Sequence, residues 1–193
     1  LGAVADEAGQ VRTEELDPER EALRQAALAQ IRQYPDPVLR LRANEVEDFD
    51  DDLRRLADRM LRLMEDANGV GLAANQVGVV RRIFVFHPDA EGDPVAVVNP
   101  MIVARGDEAE SDDEGCLSMP GIQVPVERAT TVTLEGKDPE GNDVSYELSE
   151  LGARVAQHEL DHLDGVLIIE RTTDDARKAA LAELRPRAML TPG

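Results

Sequence analysis

Tryptophan is absent and aromatic residues make up only 3% of the 193-residue chain, so the interior has to be built from aliphatic side chains. Cysteine is almost absent too. With Cys116 as the single thiol no internal disulfide can form, which excludes the bridged framework of small secreted domains and fits a reducing, cytoplasmic setting. Apolar runs are short, and the charged first thirty residues resemble neither a signal nor a transit peptide, so no membrane span and no targeting address are expected. Basic charge is scarce: 21 lysines and arginines, of which only Lys137 and Lys178 are lysine, face 40 acidic residues, for a net charge of −19. That balance excludes a general nucleic-acid binder, which needs a net basic face to neutralise phosphates. Neither membrane nor free DNA is an expected partner. What remains is an ordinary globular composition, 42% hydrophobic and 32% charged, at a length that suggests one domain with a real core.

The pattern along the chain divides it. Residues 1–30 form an acidic, partly helical extension in which Asp17 and Pro18 supply an N-cap and a first helical residue, with Leu23, Ala27 and Ile31 following at helical spacing. This helix should end by Tyr34, because Pro35 and Pro37 disfavour helical geometry in the residue before them. The extension is expected to be passive. A second helix is capped by Asp50 or Asp51, carries the apolar stripe Leu53, Leu56, Met60, Leu63, Met64 and Ala67, and stops at Gly69. Residues 82–87 and 94–99 have the β-branched and aromatic content of strands, and 130–134 and 144–148 flank a turn over 138–142 that reads as a hairpin. A third helix starts with Ser149 as N-cap and runs to Gly165, and a short last helix fraying at Pro186 closes the chain. The expected fold class is α+β, with antiparallel or mixed β-sheets packed around that third, central helix and further helices at the N- and C-terminal ends.

The third helix carries His158-Glu-Leu-Asp-His162, an HExxH pattern. Residues four apart on a helix share a face at about 5–6 Å, so both imidazoles can reach one cation while Glu159 lies beside it. Two of the three histidines in the chain are spent here. A catalytic zinc-like site generally takes three protein ligands and leaves one position for water. A His six residues after His162 would complete one protease pattern, but Ile168 stands there. Glu170 or Glu183 could supply a carboxylate from downstream, and Cys116 could supply a thiolate. A lone cysteine is more often a small buried hydrophobe; against that, Gly115 and Pro120 suggest a shaped backbone around Cys116 rather than a regular strand.

Three segments together resemble the peptide deformylases, which remove the formyl group from the N-terminal methionine of newly made proteins. Gly69-Val-Gly-Leu-Ala-Ala-Asn-Gln76 is similar to that family's first motif, Glu114-Gly-Cys-Leu-Ser118 to its second and Gln157-His-Glu-Leu-Asp-His162 to its third, in the family's order. Tyr34-Pro-Asp-Pro-Val-Leu39 is similar to its entry segment. The resemblance spans Ile31 to Thr173, making residues 31–173 a catalytic domain and 174–193 a tail or short helix.

The resemblance implies a metal held by Cys116, His158 and His162, with Fe2+ as the ion in the cell and Zn2+, Ni2+ or Co2+ able to substitute, and a metal-bound hydroxide attacking the formyl carbon to release formate. It implies Glu159 as general base and acid, and the Gln76 side chain and Leu117 backbone N–H as stabilisers of the oxyanion. Gly69, Val70, Gly71 and Gly115 become substrate-binding positions, the stretch around Val70 and Gly71 pairing with the main chain of an N-formylmethionyl nascent peptide. Leu151 and Val155, on the helix face of His158, are candidates for the methionine pocket, and Arg154 for its rim. An arginine common a few residues after the second motif is missing, since residues 121–125 hold none. The rival enzyme is an HExxH zinc peptidase with Glu170 or Glu183 as third ligand; the non-enzymatic rival is a ribosome-associated binding module. A weak ribosome contact through the C-terminal tail, where Arg177, Lys178, Arg185 and Arg187 outnumber Glu183, is the one RNA contact the charge distribution leaves open.

Overall fold

The computed structural model describes residues 6–8, 10–13, 16–90 and 92–185, the first two stretches for backbone and for the side chain of Gln10. Two short strands open the chain, β1 (Asp6–Ala8) and β2 (Val11–Thr13), paired antiparallel with Gln10 in the turn between them. Helix α1 (Pro18–Leu28) follows, with the Asp17 carboxylate accepting from the backbone N–H groups of Glu19 and Arg20. It ends six residues before Tyr34, earlier than the prolines require, and lies against the next helix with Ala27 buried and Leu23 left in solvent.

Helix α2 (Asp51–Asp66) is capped by Asp50, whose carboxylate accepts from Leu53 N. Its buried face is Leu53, Ala57, Met60, Leu63 and Met64, with Leu56 only partly covered. The stop is not Gly69: Asn68 takes the left-handed backbone conformation (φ 56°), and Gly69 N donates to Met64 O. Asparagine tolerates that region because its short side chain can bond locally.

A five-stranded antiparallel sheet in the order β3-β4-β5-β8-β9 forms the scaffold. It comprises β3 (Gly71–Ala73), β4 (Ile83–Phe86), β5 (Val95–Arg105), β8 (Thr131–Lys137) and β9 (Asp143–Ser149). Every strand pairing is antiparallel; the one parallel contact among the described residues is an isolated bridge between Asn44 and Arg81. β4 is buried on both faces, with α2 covering one side and the HExxH helix α3 (Glu150–Leu163) the other. Scarce as aromatics are, Phe84, Phe86 and Tyr146 are spent here in edge-to-face contacts of 5.3 and 6.2 Å.

The sequence pattern did not anticipate a second hairpin, β6 (Ala109–Cys116) with β7 (Met119–Ala129). Cys116 is therefore the last residue of a strand, at a register shift between Gly115 and Cys116, and not part of a loop between strands. Inward residues of β7 pack with Leu39, Ile168, Ile169 and Ala180 in a third apolar cluster, under helix α4 (Asp174–Leu184). Ser149 stands at the N-cap of α3, but its hydroxyl makes no capping bond. Gly165 (φ 76°) ends the helical run, as expected. Pro186 and Arg187 lie outside the described residues. No described helix is long and apolar enough to cross a membrane.

Candidate active site

Helix α3 is buried from Gly152 to Glu159 and again at His162, so the HExxH side chains face protein rather than solvent. A helix face normally has to pack against something, and this one packs against β3, β4 and the β6–β7 hairpin. Close approach to β3 is possible because Gly71 has no side chain: a Cβ there would lie 2.7 Å from Val155 Cγ1 and 2.9 Å from Glu159 Cδ. At the other end of the helix, a Cβ on Gly152 would lie 3.0 Å from the carbonyl carbon of Pro88.

The end of β6 brings Cys116 onto the histidine pair. Cys116 Sγ is 3.3 Å from His162 Nε2, which is 3.1 Å from His158 Nε2, and all three side chains are buried. For one ion held tetrahedrally at ordinary zinc–nitrogen and zinc–sulfur distances the sulfur–nitrogen edge would be about 3.6 Å and the nitrogen–nitrogen edge about 3.3 Å. The donor set fits a borderline divalent cation, and it is the single such group of three among the described residues. Neither alternative carboxylate joins it: Glu170 pairs with Arg40 and accepts from Leu167 N, and Glu183 is exposed.

Around this cluster lies a network that the sequence did not disclose. Fully buried Glu114 accepts from Arg128 Nε (2.9 Å) and Arg154 (3.0 Å) at one oxygen, and from Arg128 Nη2 (3.0 Å) and His158 Nδ1 (3.0 Å) at the other. Burial works against its charge, but the bonds from His158 and Arg128 override it and hold the carboxyl well below the usual range. An ionised Glu114 fixes the proton of His158 on Nδ1 and leaves Nε2 as a lone pair facing His162. Arg128 is tied on to Asp161 at 2.6 Å, inside the HExxH turn. Glu114 lay within a motif whose cysteine drew attention; Arg128 is an isolated arginine in a strand and carried no signal.

Burial also pushes the Cys116 thiol up to about 12 and Glu159 well above the carboxylate norm. His162 is driven well below its usual value by burial and by His158. The lowered value leaves the His162 imidazole neutral, so its Nε2 keeps a lone pair to offer a metal.

Glu159 Oε2 and His162 Nδ1 are buried without a hydrogen-bond partner among the described residues. Glu159 Oε1 accepts from Gln10 Nε2 at 2.7 Å. Gln76 sits in a 3-10 turn (Ala74–Val77), oriented by Ala73 N donating to its Oε1 and by its Nε2 donating to Ser118 Oγ (both 3.0 Å). Gln76 Nε2 and Leu117 N converge on one oxygen, the carboxamide oxygen of Gln10, at 3.1 and 2.9 Å. Gln10 Nε2 also donates back to Gln76 Oε1 at 2.8 Å. The N-terminal extension, expected to be passive, thus reaches the middle of the site with a fully buried side chain. Sequence separations of 66 and 149 residues left that contact without any local signature.

Of the remaining anticipated positions, Val70 N donates to Gln10 O (3.0 Å) and Gly115 O accepts from Gln10 N (3.2 Å). Gly69 lies against Leu117, whose Cδ1 would be 2.9 Å from an added Cβ. Val155 is beside Gly71 and Glu159, whereas Leu151 borders a separate cleft of about 230 Å³ with Arg154, Arg128 and Glu110. Arg154 is spent inside that wall on Glu114, Val126 O and Glu110 O. A cavity of about 180 Å³ adjoins Gly115, Cys116 and Leu117 and is lined also by Arg24 and Leu28 of α1.

Comparison with known proteins adds an independent line. The family model described as Polypeptide deformylase matches residues 28–178. The chain is 49% identical over 158 residues to peptide deformylase 1 of Corynebacterium efficiens, covering 80% of this chain and 93% of that one. Among solved structures, peptide deformylase from Thermotoga maritima superposes with a TM-score of 0.71 at 47% identity, covering 74% of this chain and 96% of that one. An inhibitor complex of an Arabidopsis thaliana peptide deformylase superposes with a TM-score of 0.76 at 40% identity, covering 80% and 89%.

Proposed function

The chain belongs to the polypeptide deformylase family, metal-dependent enzymes that remove the N-terminal formyl group, and from that premise we propose the roles of its individual residues. Cys116, His158 and His162 hold one divalent ion, Fe2+ in the cell with Zn2+, Ni2+ or Co2+ as substitutes, in a catalytic domain covering residues 31–173 whose central element is α3. The ion supplies Lewis acidity, drawing the pKa of a water toward neutrality. Ionised Glu114, anchored by two arginines, keeps the His158 tautomer that such an ion needs.

Glu159 takes the proton of the attacking water and returns it to the departing amine, which cannot leave as an anion. Gln76 Nε2 and Leu117 N–H donate to the formyl oxygen and strengthen as it gains charge; their convergence on one oxygen supports this assignment. Val70 N–H and Gly115 C=O pair with the peptide main chain, which makes recognition independent of later side chains, while Val155 faces the first residue. Leu151, at the separate cleft beside Arg154, is left out of that wall. The substrate is the N-formylmethionyl nascent peptide, met in the cytoplasm.

The observation that carries this reading is the meeting of the Cys116, His158 and His162 donor atoms, all within 4.8 Å of one another. It is tested by formate release from a formyl-Met peptide using anaerobically loaded protein and its Glu159→Ala and Cys116→Ser variants. Metal kept with activity lost in the first, and both lost in the second, is the expected result. Full formate release with metal retained in Cys116→Ser would overturn Cys116 as the third ligand.

A further inference from the structure

Gln10 offers the site the same two polar groups as a formamide. A formyl-amide presents a carbonyl oxygen to two donors and an N–H toward the general base. Gln10 Oε1 accepts from Gln76 Nε2 and Leu117 N at 3.1 and 2.9 Å, and Gln10 Nε2 donates to Glu159 Oε1 at 2.7 Å. The main chain follows suit: Gln10 N donates to Gly115 O and Gln10 O accepts from Val70 N, at 3.2 and 3.0 Å. These are the two backbone groups to which a peptide would be pinned. Strands β1 and β2 lie along β6, so the turn is held against the hairpin that ends in Cys116.

We propose that the catalytic site is also a binding site for a primary carboxamide, that Gln10 is its resident ligand, and that the 6–13 hairpin is a pseudosubstrate the formylated chain must displace. This rests on the assignment of Gln76, Leu117 and Glu159 as the groups that handle the formyl amide. Six hydrogen bonds would hold the turn, and each has a counterpart with water or substrate once the turn leaves, so displacement is costly but feasible. Substrate affinity is then the intrinsic affinity multiplied by the fraction of molecules with the turn out. The methylene that Gln10 carries where a formyl group has hydrogen distinguishes resident from substrate.

The test uses the metal-loaded full chain with formyl-Met-Ala-Ser, comparing the parent with Gln10→Ala, which removes the carboxamide, and Gln10→Leu, which keeps its bulk without either polar group. Both variants are expected to lower KM about tenfold, with kcat changed less than about twofold. In metal-loaded parent protein, formyl-Met-Ala-Ser in enough excess to keep the site occupied through turnover is expected to speed tryptic cleavage after Arg12 several-fold as the turn is released. Unchanged KM in both variants with unchanged Arg12 cleavage, or a fall in kcat at constant KM, overturns the pseudosubstrate role while leaving the deformylase reading standing. Absence of formate release from all three proteins overturns the deformylase reading and the proposal with it.

Discussion

Replacing Glu114 by glutamine should damage both the fold and the metal site, by amounts that can be worked out from its bonds. Each carboxylate oxygen serves two donors: Arg128 Nε with Arg154 at one, Arg128 Nη2 with His158 Nδ1 at the other. Glutamine has one oxygen. If its NH2 group takes the second position, it opposes Arg128 and drives the His158 proton to Nε2, capping the lone pair needed for a cation. If it takes the first, it opposes both arginines. Breaking a buried charge pair costs about 3–5 kcal/mol. Here the lower end applies, because Arg128 keeps Asp161 and Arg154 keeps two carbonyls. About 3 kcal/mol corresponds to a fall in Tm of about 6–12 °C for a chain of this size. Metal affinity should fall about 10–100-fold, as for other groups that orient a ligating histidine. Thermal melts followed by circular dichroism, and competition with a chelator of known affinity, read the two effects separately. A Tm within about 2 °C of the parent together with metal affinity within about twofold would refute the account of Glu114 as the common anchor.

Gln76→Ala should lower kcat for formyl-Met peptides about 10²–10³-fold with metal content unchanged; a purely KM effect in steady-state assays would count against an oxyanion role. Gly152→Ala, which in an exposed helix would stabilise by up to about 1 kcal/mol, should instead destabilise by about 1–3 kcal/mol through overpacking against the Pro88 backbone. A raised Tm would show that α3 can move away from Pro88. Charge reversal at exposed Arg177 and Lys178 should abolish any ribosome co-sedimentation, which should itself be weak and salt-sensitive. Reversal is cleaner than truncation because Ala180 of the same helix is buried, and undiminished sedimentation would place the contact elsewhere.

Elements with their own periodicity were readable: α2 from its stripe, α3 from its apolar back and histidine pair, β8 and β9 from flanking a turn. β6 was not. Four of the six residues 109–114 are acidic, and 109–113 are exposed on both faces, so no alternation marks a strand; pairing with β7 makes it one. Helical spacing drew out His158, Glu159 and His162, which share one helix, whereas Cys116 stood only as one of several candidate ligands and Gln76 carried no meaning until the resemblance to the deformylase motifs was added. Arg128 and Gln10 act only through partners distant in sequence, and nothing local distinguishes them from surface residues. The helix stop moved from Gly69 to Asn68 for a local reason, since either residue can take the left-handed conformation.

The shift between Gly115 and Cys116 in the β6–β7 ladder governs how the chain can vary in length. The turn at Leu117 and Ser118 sits at the metal end of that hairpin, and its open end is the Ala109–Ala129 pair. Pairing counted from the turn is undisturbed by residues added beyond Ala109 or Ala129. One residue gained or lost between Glu114 and Cys116 turns the thiol to the opposite face, away from both imidazoles. Insertions and deletions in this hairpin are therefore admissible at its open end and forbidden at its tip.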